Sequence, residues 1–304
     1  MMIFHTIFFF ILLFLSRFTF AQTEMIVLGT AQDGGYPQMG CTRACCNLTH
    51  VHDSLKQYVV SLALVDPQQK KWWLFEATPD IKEQLQLFAR HTKNQYNFLP
   101  DGIFITHAHM GHYTGLLQLG REVMNSNRVP VIALPRLKKF LETNGPWSQL
   151  VKLQNIVLVE VNENTPITLP GNISVQTFQV PHRDEFSETA GFKIITPSQR
   201  YLFIPDIDKW SKWNKSIVDE VKSVDVAFLD ATFLSADELP NRNMSEVPHP
   251  LVMETMTLFQ SESNETKRKI CFIHFNHTNP LLYDTLKQND LKKRGFSIAR
   301  QVKP

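Results

Sequence analysis

An apolar run, Ile103-Phe104-Ile105-Thr106, leads directly into His107-Ala108-His109-Met110-Gly111-His112, and the residues that follow have helical spacing. Three imidazoles in six residues at a strand-to-helix turn have little use in a folded core, because buried ring nitrogens must find partners. His107 and His109, two apart, can face one pocket from an irregular turn, and His112 can return to it from the first helical turn. The competing reading is a surface histidine cluster, or an anion site at a helix N-terminus. Three more apolar strands also end on a polar residue: 175–180 runs into Pro181-His182, 201–204 into Pro205-Asp206, and Ile270-Cys271-Phe272-Ile273 into His274. One histidine in such a place is more often a satisfied core residue than a ligand. Its repetition points instead to strand ends gathered at one sheet edge.

Strand-like segments recur at 25–29, 61–66, 72–76, 102–106, 131–134, 156–161, 173–180, 191–195, 201–204, 226–230 and 270–274. Helical spacing is found at 81–92, 112–124, 135–143, 209–221 and 250–261. Consecutive strands without helices around 156–204 argue against a simple alternating βαβ array. They favour a mixed α/β (α+β) sandwich, two β-sheets with helices on the outer faces. With no repeat and no composition shift, residues 22–304 read as one domain, and 236–249 as a long surface loop.

Residues 1–21 stand apart. Ile3 to Leu15 is almost unbroken Ile, Leu and Phe, and Phe18-Thr19-Phe20-Ala21 places small residues where a signal peptidase cuts. A cleaved signal peptide is expected, with an uncleaved anchor as the alternative, since the run is shorter than the about 20 residues that span a bilayer. The protein is then exported, to the periplasm or beyond, with no stable membrane span after cleavage. A formal net charge of +2 over 304 residues gives no electrostatic reason to expect nucleic acid as a partner. Export permits disulfides, which bears on Cys41, Cys45 and Cys46, three thiols within six residues. They suit either a structural zinc, with His50 or His52 as fourth ligand, or one disulfide from Cys41 to a neighbour; both readings stay open.

The order His-X-His-X-X-His, strand-end His, strand-end Asp, strand-end His resembles the metallo-β-lactamase superfamily, an αββα sandwich with metals at one edge of its sheets. The likeness covers nearly all of the chain after residue 21. Leu28-Gly29-Thr30-Ala31-Gln32-Asp33-Gly34-Gly35-Tyr36-Pro37-Gln38, the cysteine cluster, His112-Tyr113-Thr114-Gly115-Leu116-Leu117, and His274 with Thr278-Asn279-Pro280-Leu281-Leu282 resemble its subgroup typified by protein B of coenzyme PQQ (pyrroloquinoline quinone) biosynthesis. Carried over residue by residue, the resemblance implies His107, His109 and His182 as ligands of a first metal. It implies His112 and His274 for a second, with Asp206 bridging. The superfamily pattern has an aspartate directly before the third histidine, where this chain has Gly111. The expectation is therefore one firmly held ion, zinc or iron by ligand type, and a second, zinc or manganese, held weakly for want of a carboxylate. Gly111→Asp should then raise the occupancy of that second site.

Three functions are compatible with the resemblance. They are a metal-dependent hydrolase of a small-molecule ester, lactone, phosphodiester or amide, an iron-dependent oxygenase like the biosynthetic B protein, and a non-catalytic metal binder. Export favours the hydrolase, because cofactor assembly on a peptide precursor belongs inside the cell. In that reading Asp206 orients the attacking water, and His249 in Val247-Pro248-His249-Pro250 is the expected general acid, a surface loop histidine being the plain alternative. Asp230 is expected to hold a ligand imidazole in its tautomer, and Asp208 to do the same or cap a helix. Arg183, beside His182, either reads an anionic group or faces solvent.

Overall fold

The computed structural model describes residues 22–240 and 242–303; the expected signal peptide lies outside the described residues. Why the strands are so uniformly apolar is visible at once: most are covered on both faces. The first sheet comprises β1 (Glu24–Gly29), β2 (Ser61–Asp66), β3 (Lys71–Phe75), β4 (Gly102–Phe104), β5 (Val129–Ala133) and β6 (Ile156–Glu160), paired in that order. The second comprises β7 (Pro166–Leu169), β8 (Ile173–Val180), β9 (Thr189–Ile195), β10 (Arg200–Ile204), β11 (Val226–Asp230), β12 (Ile270–Ile273) and β13 (Ser297–Ile298), paired from β13 back to β7.

Side-chain alternation sorts each strand between two cores. Leu62 and Leu64 of β2, Phe75 of β3 and Phe104 of β4 point inward to meet Val175, Phe192, Phe203 and Ile273 of the opposite sheet. Phe75, Phe104 and Phe192 pack with ring centroids 4.8–5.6 Å apart, in a stack where truncating one ring costs about 3–5 kcal/mol. Ala63, Trp72, Leu74 and Ile103 point outward, away from the second sheet. Of α1 (Ala44–Val51), α2 (Ile81–His91), α3 (Met110–Tyr113), α4 (Pro135–Thr143) and α5 (Trp147–Lys152), it is α2, α4 and α5 that bury Leu85, Leu137 and Leu150 against this face. On the far face of the second sheet, α6 (Ile217–Lys222), α7 (Val252–Leu258) and α9, which follows α8 (Asn264–Arg268) at Thr285–Lys293, cover Leu202, Ile204, Leu229 and Phe272. The expected two-sheet sandwich with outer helices is the observed fold.

Local differences have local causes. The single helix expected over 112–124 is α3 followed by a 3₁₀ segment, Thr114–Leu119. Gly115 donates its N–H to the Ala77 carbonyl at 2.9 Å, and a Cβ there would fall 2.0 Å from the Thr78 oxygen, so the turn is pinned against β3's exit rather than continuing as α. The helix expected over 209–221 begins only at Ile217, where the Ser216 hydroxyl caps the Asp219 N–H. Strand β7 is half exposed and short, and α9 is polar with only Leu291 buried, so neither has a strong apolar period. The 236–249 segment contains two 3₁₀ turns, Ala236–Glu238 and Met244–Glu246.

Strand polarity sets the site. β1 runs antiparallel to β2, β2 antiparallel to β3, and β3 parallel to β4, so β1, β3 and β4 all end at one edge. β8, β10, β11 and β12 share a direction by the same reasoning. Residues 30–32 stitch the two sheets at that edge: Gln32 N–H donates to Phe275 O, Phe275 N–H to Thr30 O, and Ala31 N–H to Tyr58 O, at 2.8–2.9 Å.

Candidate metal centre

The strand ends converge as their spacing predicts. His107 and His109 follow β4, His182 follows β8, and Asp206 follows β10. Their ligand atoms form a closed figure: His107 Nε2 to His109 Nδ1 2.8 Å, His109 Nδ1 to His182 Nε2 3.3 Å, and Asp206 Oδ2 3.1 Å from His182 Nε2 and 3.4 Å from His107 Nε2. Atoms each about 2.0–2.1 Å from one tetrahedral ion sit about 3.4 Å apart, so these four fit a zinc-sized cation. Of the far ring nitrogens, His107 Nδ1 meets Thr106 Oγ1 at 2.8 Å, and His182 Nδ1 faces Asp208 Oδ1 at 3.6 Å, beyond hydrogen-bond reach. Asp208 thus faces the His182 ring and does not cap the 3₁₀ turn Trp210–Lys212, which has no side-chain cap.

Beside it lies a second group. His112 Nε2 is 3.8 Å from the same Asp206 Oδ2, and the Asp33, His112 and His274 ligand atoms lie within 4.8 Å of one another. Asp33 Oδ1, His112 Nε2 and His274 Nε2 are buried and make no hydrogen bond among the described residues. Three such atoms aimed at one point fit a cation better than they fit a core. The carboxylate expected to be missing here is thus supplied in space: Asp33 Oδ1 stands 3.4 Å from His112 Nε2. Gly111 is what admits it. A Cβ at 111 would lie 2.0 Å from Asp33 Oδ1 and 2.7 Å from Asp33 Cα, so the expectation that Gly111→Asp simply adds a ligand is corrected. His274 and Glu76, both at strand ends, hold left-handed φ values of 66° and 74°, a strain that functional positions tolerate. Glu76, fully buried, places Oε1 3.5 Å from His112 Nδ1 and accepts the Thr106 N–H at Oε2, so it orients the ring whose Nε2 faces Asp33.

His249 is drawn into the same edge and buried, which removes the surface-loop reading. Its Nδ1 is 2.9 Å from Asp230 Oδ2 and 3.2 Å from Asp206 Oδ1. Burial works against a proton on this ring, but the Asp230 and Asp206 carboxylates hold it up at about 10. Asp230 also accepts from the Thr232 hydroxyl, which meets His274 Nδ1 at 3.1 Å, so it holds a ligand ring through Thr232 as well as His249 directly. Asp206 is buried too; despite that burial, His182 and His249 hold its carboxyl well below the usual range. Four carboxylates, Asp33, Glu76, Asp206 and Asp230, thus meet one histidine cluster and require positive charge among them. A cavity of about 210 Å³ opens beside His249, and Gln32, Arg183 and Arg242 contribute to its wall.

The cysteines gather elsewhere. Cys41, Cys45 and Cys46 are unpaired thiols, and their sulfurs lie within 4.8 Å of one another and of a His277 ring nitrogen. Cys46 Sγ is 3.2 Å from His277 Nδ1. The expected fourth partner is corrected: His50 and His52 are exposed on and just after α1, and His277 takes their place. Burial pushes the Cys46 thiol up to about 12, so without a cation it stays protonated.

Sequence reasoning therefore placed the five histidines and Asp206 at one edge but missed Asp33, Glu76 and His277. A signal for Asp33 existed: a pattern lacking its carboxylate at 111 invites a search for another acid after a strand that ends at the same edge.

Residues 71–275 match the family model of the beta-lactamase superfamily domain. Over 303 aligned residues the chain is 26% identical to a coenzyme PQQ synthesis protein B of Methylorubrum extorquens, spanning 91% of this chain and 97% of that one. It is 23% identical over 294 residues to the protein of that name from Gluconobacter oxydans, spanning 91% and 96%. Among solved structures, Zn(2+)-bound PqqB from Methylobacterium extorquens superposes with a TM-score of 0.72 at 22% identity, over 91% of this chain and 97% of that one. A diphosphatase of the PhnP family superposes at 0.66 and 19% identity, over 92% and 95%. These structural likenesses establish the fold.

Proposed function

From the premise that this chain belongs to the beta-lactamase superfamily, we propose that it is a metal-dependent hydrolase acting on a small anionic ester, a phosphodiester in the first instance. The observation that carries the proposal is the closed figure of His107, His109, His182 and Asp206, backed by His112 and His274 and joined through Asp206 to His249, which lines a cavity. A zinc ion bound there would supply Lewis acidity and lower the pKa of water from 15.7 to about 7.

The chain's own residues do the remainder. Asp206, reached by both groups of imidazoles, orients the attacking water. His249 lines the cavity, and with Nδ1 held by Asp230 and Asp206 its Nε2 is left to protonate the leaving oxygen. Arg183 and Arg242 on the same wall favour an anionic substrate over a neutral lactone or amide. The likeness to a PhnP-family diphosphatase supports phosphoester chemistry, and the likeness to a zinc-bound PqqB supports zinc. We further propose that Cys41, Cys45, Cys46 and His277 hold a structural zinc, a four-ligand set without an open position. Residues 1–21 carry the proposal that the protein works outside the cytoplasm; no described helix is long and apolar enough to cross a membrane.

The test is a screen of chromogenic phosphodiester, lactone and β-lactam substrates, with and without oxygen, on protein of known metal content. Oxygen-independent phosphodiester hydrolysis that is lost in His109→Ala is expected. Turnover that requires oxygen and iron would replace hydrolysis with the oxygenase reading, and metal binding without any turnover would leave a binding protein.

A further inference from the structure

We propose that Asp33 is the carboxylate ligand of the second metal position, and that Asp33 and Gly111 are a spatial exchange: the acid has moved from the His-X-His motif to the loop after β1, and the glycine is what makes room for it. This rests on the metal-binding part of the proposed function.

Three observations carry it. Asp33 Oδ1 is 3.4 Å from His112 Nε2 and lies within 4.8 Å of a His274 ring nitrogen, and all three ligand atoms are buried without a hydrogen bond among the described residues. The space is singly occupied, because a Cβ at 111 would overlap Asp33 Oδ1 at 2.0 Å and crowd its Cα at 2.7 Å. The loop is fixed from outside the cluster: the residue before Asp33 donates its N–H to Phe275 O, directly after His274, and the Gln32 side chain accepts from Asn276 Nδ2 at 3.1 Å. Asp33 is therefore registered against His274 by backbone, not by the charge of the site. With Asp206 shared, the second position offers two imidazoles and two carboxylates, an N₂O₂ set that zinc and manganese both accept.

Dialysis of the purified protein against graded cobalt(II), with cobalt counted per chain, tests this. Thiolate-to-cobalt absorption scores the cysteine cluster separately. Wild type should bind two cobalt ions at the histidine edge. Asp33→Asn should bind the first unchanged and the second on the order of 100-fold more weakly. Gly111→Asp alone should also lose the second ion, and Asp33→Gly with Gly111→Asp together should regain it. Retention of both ions by Asp33→Asn would overturn the exchange while leaving the proposed function standing. Loss of both ions in Asp33→Asn, not restored by the double exchange, would also overturn it, assigning Asp33 a folding role. No cobalt at the edge of the wild type would overturn the exchange and the hydrolase reading together.

Discussion

The histidine edge, built of three overlapping groups, and the cysteine cluster both gather buried or half-buried ligand atoms that lie within 4.8 Å of one another in each group, yet they are assembled in opposite ways. Three of the four cysteine-cluster ligands lie within six residues at the start of α1, and one turn of helix brings Cys45 and Cys46 inward. The histidine edge takes its ligands from the ends of β4, β8, β10 and β12, so only the completed sandwich gathers them. The first is all sulfur and imidazole; the second mixes imidazole with three carboxylates, has Glu76 behind His112, and borders a cavity through His249. Closed four-ligand sets stabilise folds and open, carboxylate-bearing ones do chemistry. The two regions are also tethered: Asp33 lies eight residues before Cys41, and His274 three before His277. An ion held by the cysteines would therefore pin both segments that carry Asp33 and His274.

The sharpest way to break the contrast is His109→Ala. It should remove the first ion and all detectable hydrolysis while leaving the melting temperature within a few degrees, because the ring is partly exposed and sits outside the packed cores. A calorimetric scan beside the activity assay reads both; unfolding in step with activity loss would make the edge structural. His249→Gln comes next, with kcat expected to fall about 10²–10⁴-fold. The sign in pH follows from its role: an acid must be protonated, so kcat falls as pH rises through the ring's pKa, and the variant should lose that alkaline limb.

Cys46→Ser should invert the pattern. Loss of the cluster ion is expected to cost on the order of 3 kcal/mol, or about 6–12 °C for a chain of this size, with kcat of the folded fraction nearly unchanged. Through the tethers, its second edge ion should also bind about tenfold more weakly. An unchanged melting curve would dissolve the distinction between the regions. The smallest effect is assigned to Glu76→Gln, which keeps the shape but weakens the hold on His112 Nδ1; second-ion affinity should drop about 10-fold and the first not at all. Equal loss at both would place Glu76 in the fold rather than behind one ligand.

Much of this was legible from residue order. Apolar runs ending on His107, His182, Asp206 and His274 showed which strands carry the chemistry, since a strand buried on both faces has one place to leave polar side chains. Asp33 was hidden because it sits four residues beyond β1 in a glycine-rich turn, with no period to mark its direction. His277 was hidden because its partner Cys46 is 231 residues away. The helix after His112 was misread as continuous because Gly115's approach to the Thr78 carbonyl is a tertiary constraint that spacing does not encode.

On this reading, strand ends at one edge form a metal-holding catalytic centre, separate from the cysteine cluster. Elemental analysis of protein purified without chelator tests it most directly. Two to three equivalents of zinc or another first-row metal per chain are expected, with at least one lost in His109→Ala and a different one lost in Cys46→Ser. Wild-type protein without metal, or metal content that His109→Ala leaves unchanged, would contradict it.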